Sequence, residues 1–241
     1  MRLRLAVGPD AADRARAAFE RFGWARIAPF LRVEDAVAIE AHLRQRTDWR
    51  QHLNQGEKLF ELDRETRASF PPEKAAALDK AVFRNASEGF QFRFEGLRLP
   101  DAAAARAADT SLLGALGRLL DAPATLDLFR HVCNDRRIRF ADAQATLYAP
   151  GDFLTEHDDD VAGKNRIAAW TLGLNPRWSI DWGGLLHLMD DEGQATALVP
   201  GFNLLTVFRV PRRHSVSLVS PAAPVGRLGI TGWLRAGPRP A

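Results

Sequence analysis

Cysteine is almost missing from this chain of 241 residues: there is one, Cys133. No internal disulfide can form, and a reducing compartment is favoured. No apolar run approaches the ~20 residues needed to span a bilayer. The opening stretch MRLRLAVGPD has two arginines but too short an apolar segment for a secretory leader. These absences lead us to expect a soluble cytoplasmic protein with no membrane partner. Lysine is scarce, occurring only at Lys58, Lys74, Lys80 and Lys164, so the net charge of +3 rests on arginine. The arginines are scattered and sit beside acids, as in DRARAAFERFG and LDRETR. With so much alanine this reads as compositional bias, and the basicity says little about nucleic-acid partners.

What is present suffices for a full core, since 46% of residues are hydrophobic. The pattern changes near residue 140. Before it, helical periodicity covers 10–22 behind a capping candidate, Asp10, then about 33–46, 72–86 after Pro71-Pro72, 102–120, and a short helix to about 131. After it come short strands: DAQATLY, RIAAWTLGLN, GGLLHLM, QATALVP, NLLTVFRV, HSVSLVS and RLGITGWL, separated by Gly, Pro, Asn and Asp. That succession predicts a β-sandwich or barrel with helices outside it. A strand pair is also expected in the helical half, where GFQFRFEG alternates Phe90, Phe92 and Phe94 with Gln91, Arg93 and Glu95. Those phenylalanines read as core.

Residues 153–166, FLTEHDDDVAGKNR, gather a histidine and three aspartates at the end of a strand-like run. Adjacent carboxylates repel, so the cluster is either a solvated turn or a place where a cation offsets the repulsion. In extended backbone His157 and Asp159 share a side while Asp158 points away. A third ligand would come from another strand, and His214 in VPRRHSVSLV is the best candidate. Two histidines and a carboxylate form the facial triad of non-haem Fe(II) oxygenases. A charged turn with two unrelated histidines fits the same residues. A calcium site through Asp158, Asp159 and Asp160 on a non-catalytic jelly-roll is a further alternative, although calcium prefers six to eight oxygens.

Arg227 in GRLGITGWL faces the same side as the small residues Gly229 and Thr231. A buried arginine needs an anion, and its planar fork suits a carboxylate. A metal with open positions and an arginine deeper in the barrel would hold 2-oxoglutarate by both ends.

From Asp142 to Leu234 the chain resembles the 2-oxoglutarate/Fe(II)-dependent dioxygenases, in particular their prolyl-hydroxylase-like branch. The residues that carry the resemblance are YAPGDFLTEHDD, Arg166, Leu174-Asn175, Trp178, Gly183-Gly184, the run from Pro200 to Phe208, His214, and Arg227 to Trp233. The resemblance implies a mainly β, α+β chain of one domain over 1–241. Its residues 1–140 would be a mainly helical support with a strand pair, and 141–236 a double-stranded β-helix, or jelly-roll, catalytic core.

The same resemblance implies Fe(II) on His157, Asp159 and His214, with 2-oxoglutarate and O2 as cosubstrates and ascorbate as a supporting reductant. Arg227 would pair with the distal carboxylate of 2-oxoglutarate. Tyr148 falls where related enzymes place a tyrosine near the cosubstrate; a strand tyrosine with its hydroxyl at the rim is the alternative. Gly173 stands where several prolyl hydroxylases carry a tyrosine, so Thr171 or Thr231 would supply that hydroxyl. Trp233 is expected to pack under the site and His187 to face solvent. The implied reaction hydroxylates an unactivated C–H bond, of a prolyl residue in a protein or peptide, or of a free amino acid or biosynthetic small molecule. The loop 50–72 and GFQFRFEG are expected to supply substrate contacts. RLGITGWLR lacks the asparagine of the alkyl-DNA oxygenases, and Arg235 lies too far on, which weighs against nucleic acid as substrate. The oligomeric state is not legible.

Overall fold

A computed structural model describes residues 2–237 and Arg239. The first half folds as α1 (Pro9–Phe22), β1 (Trp24–Ile27), α2 (Val33–Gln45), β2 (Arg50–Gln55), β3 (Lys58–Asp63), α3 (Arg64–Ala68), α4 (Pro72–Glu88) and β4 (Phe92–Arg98). Then follow α5 (Ala103–Ala108), α6 (Leu112–Asp121), α7 (Pro123–Cys133) and β5 (Ile138–Ala141). The second half is nearly all strand: β6 (Gln144–Tyr148), β7 (Phe153–His157), β8 (Arg166–Gly173), β9 (Leu186–Met189), β10 (Ala195–Leu198), β11 (Leu204–Arg209), β12 (His214–Val216) and β13 (Arg227–Ala236).

Local chemistry explains several boundaries that differ from the sequence reading. Gly8, not Asp10, caps α1; Pro9 takes the first helical position, where a missing N–H costs nothing, and Asp10 sits in the first turn. The helix expected over 102–120 is two helices. Ser111 interrupts it, and its hydroxyl accepts the Gly114 N–H to start α6. The residues read as a loop over 50–72 are the β2–β3 hairpin and α3, and the helical half contributes the strands β1 to β4 rather than one pair.

The strands form one curled antiparallel sheet in the order β1-β11-β8-β13-β6-β4-β7-β12-β9-β10, with β2 on β4, β3 on β2 and β5 on β13. This is the jelly-roll architecture. Strand β4 lies between β6 and β7, so the first half completes the barrel rather than merely supporting it. One outer surface, with Trp170, Leu172, Leu205, Val207 and Ile230, is covered by Phe19 of α1, Ile39 and Leu43 of α2, Leu116 and Leu120 of α6 and Phe129 of α7. On the other side Val82 of α4 packs against Leu53 and Phe153. Inside, Leu186, Leu188 and Leu198 close over Ala169 and Phe208. The open end of the curl holds the site.

Candidate metal and cosubstrate site

A cleft of about 610 Å³ enters the barrel between the two halves of the curl. His157, Asp159 and His214 all line it, and one ligand atom from each lies within 4.8 Å of the others. Nε2 of His214 is 3.3 Å from Asp159 Oδ2, and Nε2 of His157 is 3.6 Å from Oδ1.

Two irregularities create this convergence, and the simple alternation assumed from sequence does not. His157 and His214 are cross-strand partners, yet Leu154 pairs with Val216, so three steps on β7 oppose two on β12. The extra residue is a β-bulge, a device that re-aims a side chain. Without it His157 would share the outer side with Phe153, which packs on α4; with it, Leu154 and His157 both face the cleft. Strand β7 ends at His157, and Asp159 lies beyond it at φ 64°. Aspartate tolerates this left-handed conformation better than most residues, and the turn brings its carboxylate back over the histidines. Asp158 and Asp160 are exposed, with the Asp160 N–H bonded to the Asp158 carboxylate at 3.0 Å.

The electrostatics suit a cation. Nδ1 of His157 lies 3.0 Å from the Thr155 carbonyl, and Nδ1 of His214 lies 2.7 Å from that of Arg212. A carbonyl only accepts, so Nδ1 carries the proton in both rings and Nε2 offers its lone pair to the centre. Burial and the neighbouring His214 push the His157 pKa down to about 4, so the ring is neutral without metal. Burial alone would raise the Asp159 carboxyl, but His214 and His157 outweigh it and hold it below the ordinary range. Arg166 was only a landmark in the sequence. Its Nη1 donates to the Asp159 carbonyl at 3.0 Å and to Oδ1 at 3.2 Å, while its guanidinium stacks on Trp233 at 3.7 Å.

Arg227 enters the same cleft from the start of β13. It is buried, its Nε has no hydrogen-bond partner, and among the described residues no carboxylate lies within 4.0 Å of it. Burial lowers its pKa, with Tyr148 partly opposing. An arginine left this way in a barrel is unfinished until an anion arrives. Tyr148 is its cross-strand partner, its ring 5.2 Å from the guanidinium, and burial pushes the phenol up to about 12. Tyr148 is 4% exposed, which excludes the rim position.

Thr171 and Thr231 face each other across β8 and β13 and line the cleft; the Thr231 hydroxyl donates to the Trp170 carbonyl at 3.1 Å. At Gly173 a Cβ would lie 2.2 Å from the Gly201 carbonyl oxygen, so no side chain fits there. His187 does not line the cleft and lies 3.3 Å from the Ser215 hydroxyl. Phe90, Phe92 and Phe94 are not simply core: all three line the cleft, Phe90 being 47% exposed. His52 stacks on Phe94 at 5.6 Å, and Leu59 and Glu61 of the hairpin complete the mouth.

Residues 143–235 match the family described as the 2OG-Fe(II) oxygenase superfamily. That span is similar to a 2OG-Fe(II) oxygenase domain. Within it lie the three clustered ligands and the buried Arg227, which has no carboxylate partner among the described residues, a donor set that fits Fe(II) and a dicarboxylate. The chain resembles prolyl hydroxylases among its relatives. Over 100 residues it is 35% identical to the mouse prolyl 3-hydroxylase OGFOD1, a match covering 38% of this chain and 18% of the relative's length. The Pseudomonas putida prolyl-4-hydroxylase superposes with a TM-score of 0.62 at 17% identity, covering 94% of this chain and all of that one. A Trichoplax adhaerens prolyl hydroxylase in complex with a hypoxia inducible factor peptide gives 0.60 at 16% identity, over 93% and 89%. Among the described residues no helix is long and apolar enough to cross a membrane.

Proposed function

We propose that the chain is an Fe(II)- and 2-oxoglutarate-dependent hydroxylase of a prolyl residue in a protein or peptide. The observation that carries the reading is one cleft holding both a His-Asp-His cluster and a buried arginine without a counter-ion. In this reading His157, Asp159 and His214 hold the iron, and Arg227 pairs with the distal carboxylate of 2-oxoglutarate. When bound, iron, 2-oxoglutarate and O2 supply oxidative decarboxylation of the cosubstrate coupled to hydroxylation of an unactivated C–H bond.

The protein's own part is orientation and exclusion of water. The Thr155 and Arg212 carbonyls fix both imidazoles, Arg166 fixes the carboxylate, and the apolar walls of Leu186, Phe208 and Val216 keep the inner cleft dry. For the substrate, the support is the mouth. Phe90, Phe92, Phe94 and His52 present flat rings on one side of the cleft, the kind of wall on which a proline segment docks with little entropic loss. The cytoplasm is the proposed setting, supported by the single buried thiol of Cys133. One functional domain is proposed as well, supported by β4 bridging the two halves.

Incubating the protein with Fe(II), 2-oxoglutarate, O2 and a proline-rich peptide library, with succinate assay and mass spectrometry, tests the reading. The expected result is succinate formed in step with gain of one oxygen atom on a prolyl ring. Succinate with oxygen gained only on a small-molecule amino acid would replace the peptide assignment. Calcium binding without any iron binding would return the chain to a non-catalytic jelly-roll.

A further inference from the structure

Arg227 is not the only arginine inside the barrel without a counter-ion. Arg26, on the edge strand β1, begins a row of polar residues that crosses six strands through successive cross-strand partners: Arg26, Thr206, Thr171, Thr231, Gln144 and Arg98. The adjacent row, Trp24, Phe208, Ala169 and Trp233, is apolar, as an inner barrel surface should be. One terminal amine of Arg26 donates to the Val199 carbonyl at 2.5 Å. Its Nε is buried without a partner, and among the described residues no carboxylate lies within 4.0 Å of its guanidinium.

Arg26 and Arg227 line one narrow void, together with Thr171, Thr206, Gly173 and Gly229. Two guanidiniums and no carboxylate border it. The void has about 20 Å³, enough for one water-sized group. Gly173 can add nothing, because the Gly201 carbonyl occupies the space where its side chain would be. Burial lowers the pKa of both arginines, which is the cost of leaving them uncompensated.

We propose that Arg26 is a second cosubstrate-binding residue: one oxygen of the distal carboxylate held by Arg227 enters this void, where Arg26 and the Thr171 hydroxyl complete its coordination. The inference rests on the reading of Arg227 given above. It assigns to a residue of the N-terminal half, on an edge strand, a direct part in selecting a dicarboxylate.

Calorimetric titration of the Fe(II)-loaded protein under argon tests it, comparing 2-oxoglutarate with 2-oxobutyrate, which has the same chelating end but no distal carboxylate. Arg26→Gln should weaken 2-oxoglutarate about 5- to 50-fold, for a charge pair partly screened by solvent, and leave 2-oxobutyrate unchanged. Arg26→Lys keeps the charge and loses the fork. It should show a smaller loss confined to 2-oxoglutarate, and it carries the test if the glutamine variant does not fold. Equal weakening of both ligands, or of neither, overturns the proposal in either variant. Arg227→Ala in the same titration separates the two readings. If it too leaves 2-oxoglutarate binding intact, the whole cosubstrate assignment falls; if it abolishes binding while Arg26→Gln has no effect, only the role of Arg26 falls.

Discussion

Arg166 clamps the one carboxylate of the cluster, touching both the main chain and the side chain of Asp159 while lying flat on Trp233. Partners of this kind typically govern metal affinity through the ligand they hold. Arg166→Ala should therefore weaken Fe(II) about 10- to 100-fold in an anaerobic titration. Asp158→Ala, at an exposed turn position, should change it little; a large loss there would reassign the ligand set. At this scale the sequence was legible where a residue type has one main chemical use. His157, Asp159, His214 and Arg227 stood out because ligating or charged groups sat at the ends of apolar strands. Arg26 did not, because what defines it is a carbonyl 173 positions away and a void that exists only after closure.

Among the elements, the β2–β3 hairpin at the cleft mouth is held through Glu95. That carboxylate is buried on the outer side of β4 and binds Arg64 at 2.6 Å and also Arg67, both of the helix that follows the hairpin. Burial alone would raise the Glu95 pKa, but the two guanidiniums overcome it and hold it below the usual carboxylate range. A depressed carboxyl contributes stability above its unfolded value, near 4.3, and loses it as pH falls through the lower folded value. Glu95→Gln should cost about 1–3 kcal/mol at neutral pH, reduced from the fully buried case because Arg64 is 40% exposed. It should also flatten the acid limb of a urea-denaturation series, and open the Gln55–Gly56 turn to protease. An acid limb identical to wild type would remove Glu95 from the account. The helices were readable because one face of each is apolar. The hairpin was not, because its cleft-facing residues include His52 and Glu61, so the alternation that marks a strand is blurred by the residues that line the cleft.

The whole molecule packs its helices on the outer faces of the curl and its chemistry in the open end, so the main core under α1, α2, α6 and α7 is separate from the residues that line the cleft. Cys133 belongs to the core: it is 7% exposed at the end of α7, and burial pushes its thiol up to about 12. It should stay unmodified by a thiol reagent in the native protein and react in step with the loss of circular dichroism in urea, which makes it a reporter of global unfolding. Reaction without unfolding would show that α7 opens locally. The overall architecture was legible because seven short strands in close succession leave few alternatives to a barrel. The closing role of β4 was not, since it depends on pairing with strands some 50 residues on. The bulge in β7 has an evolutionary consequence. Deleting Glu156 alone should restore regular pairing with β12 and leave His157 two positions after Leu154, still on the cleft side, giving a folded barrel with ordinary circular dichroism that keeps its Fe(II) titration. A lineage could thus shed the bulge in a single codon loss and keep the ligand geometry, so this extra residue is one that drift can remove or restore without rebuilding a fold.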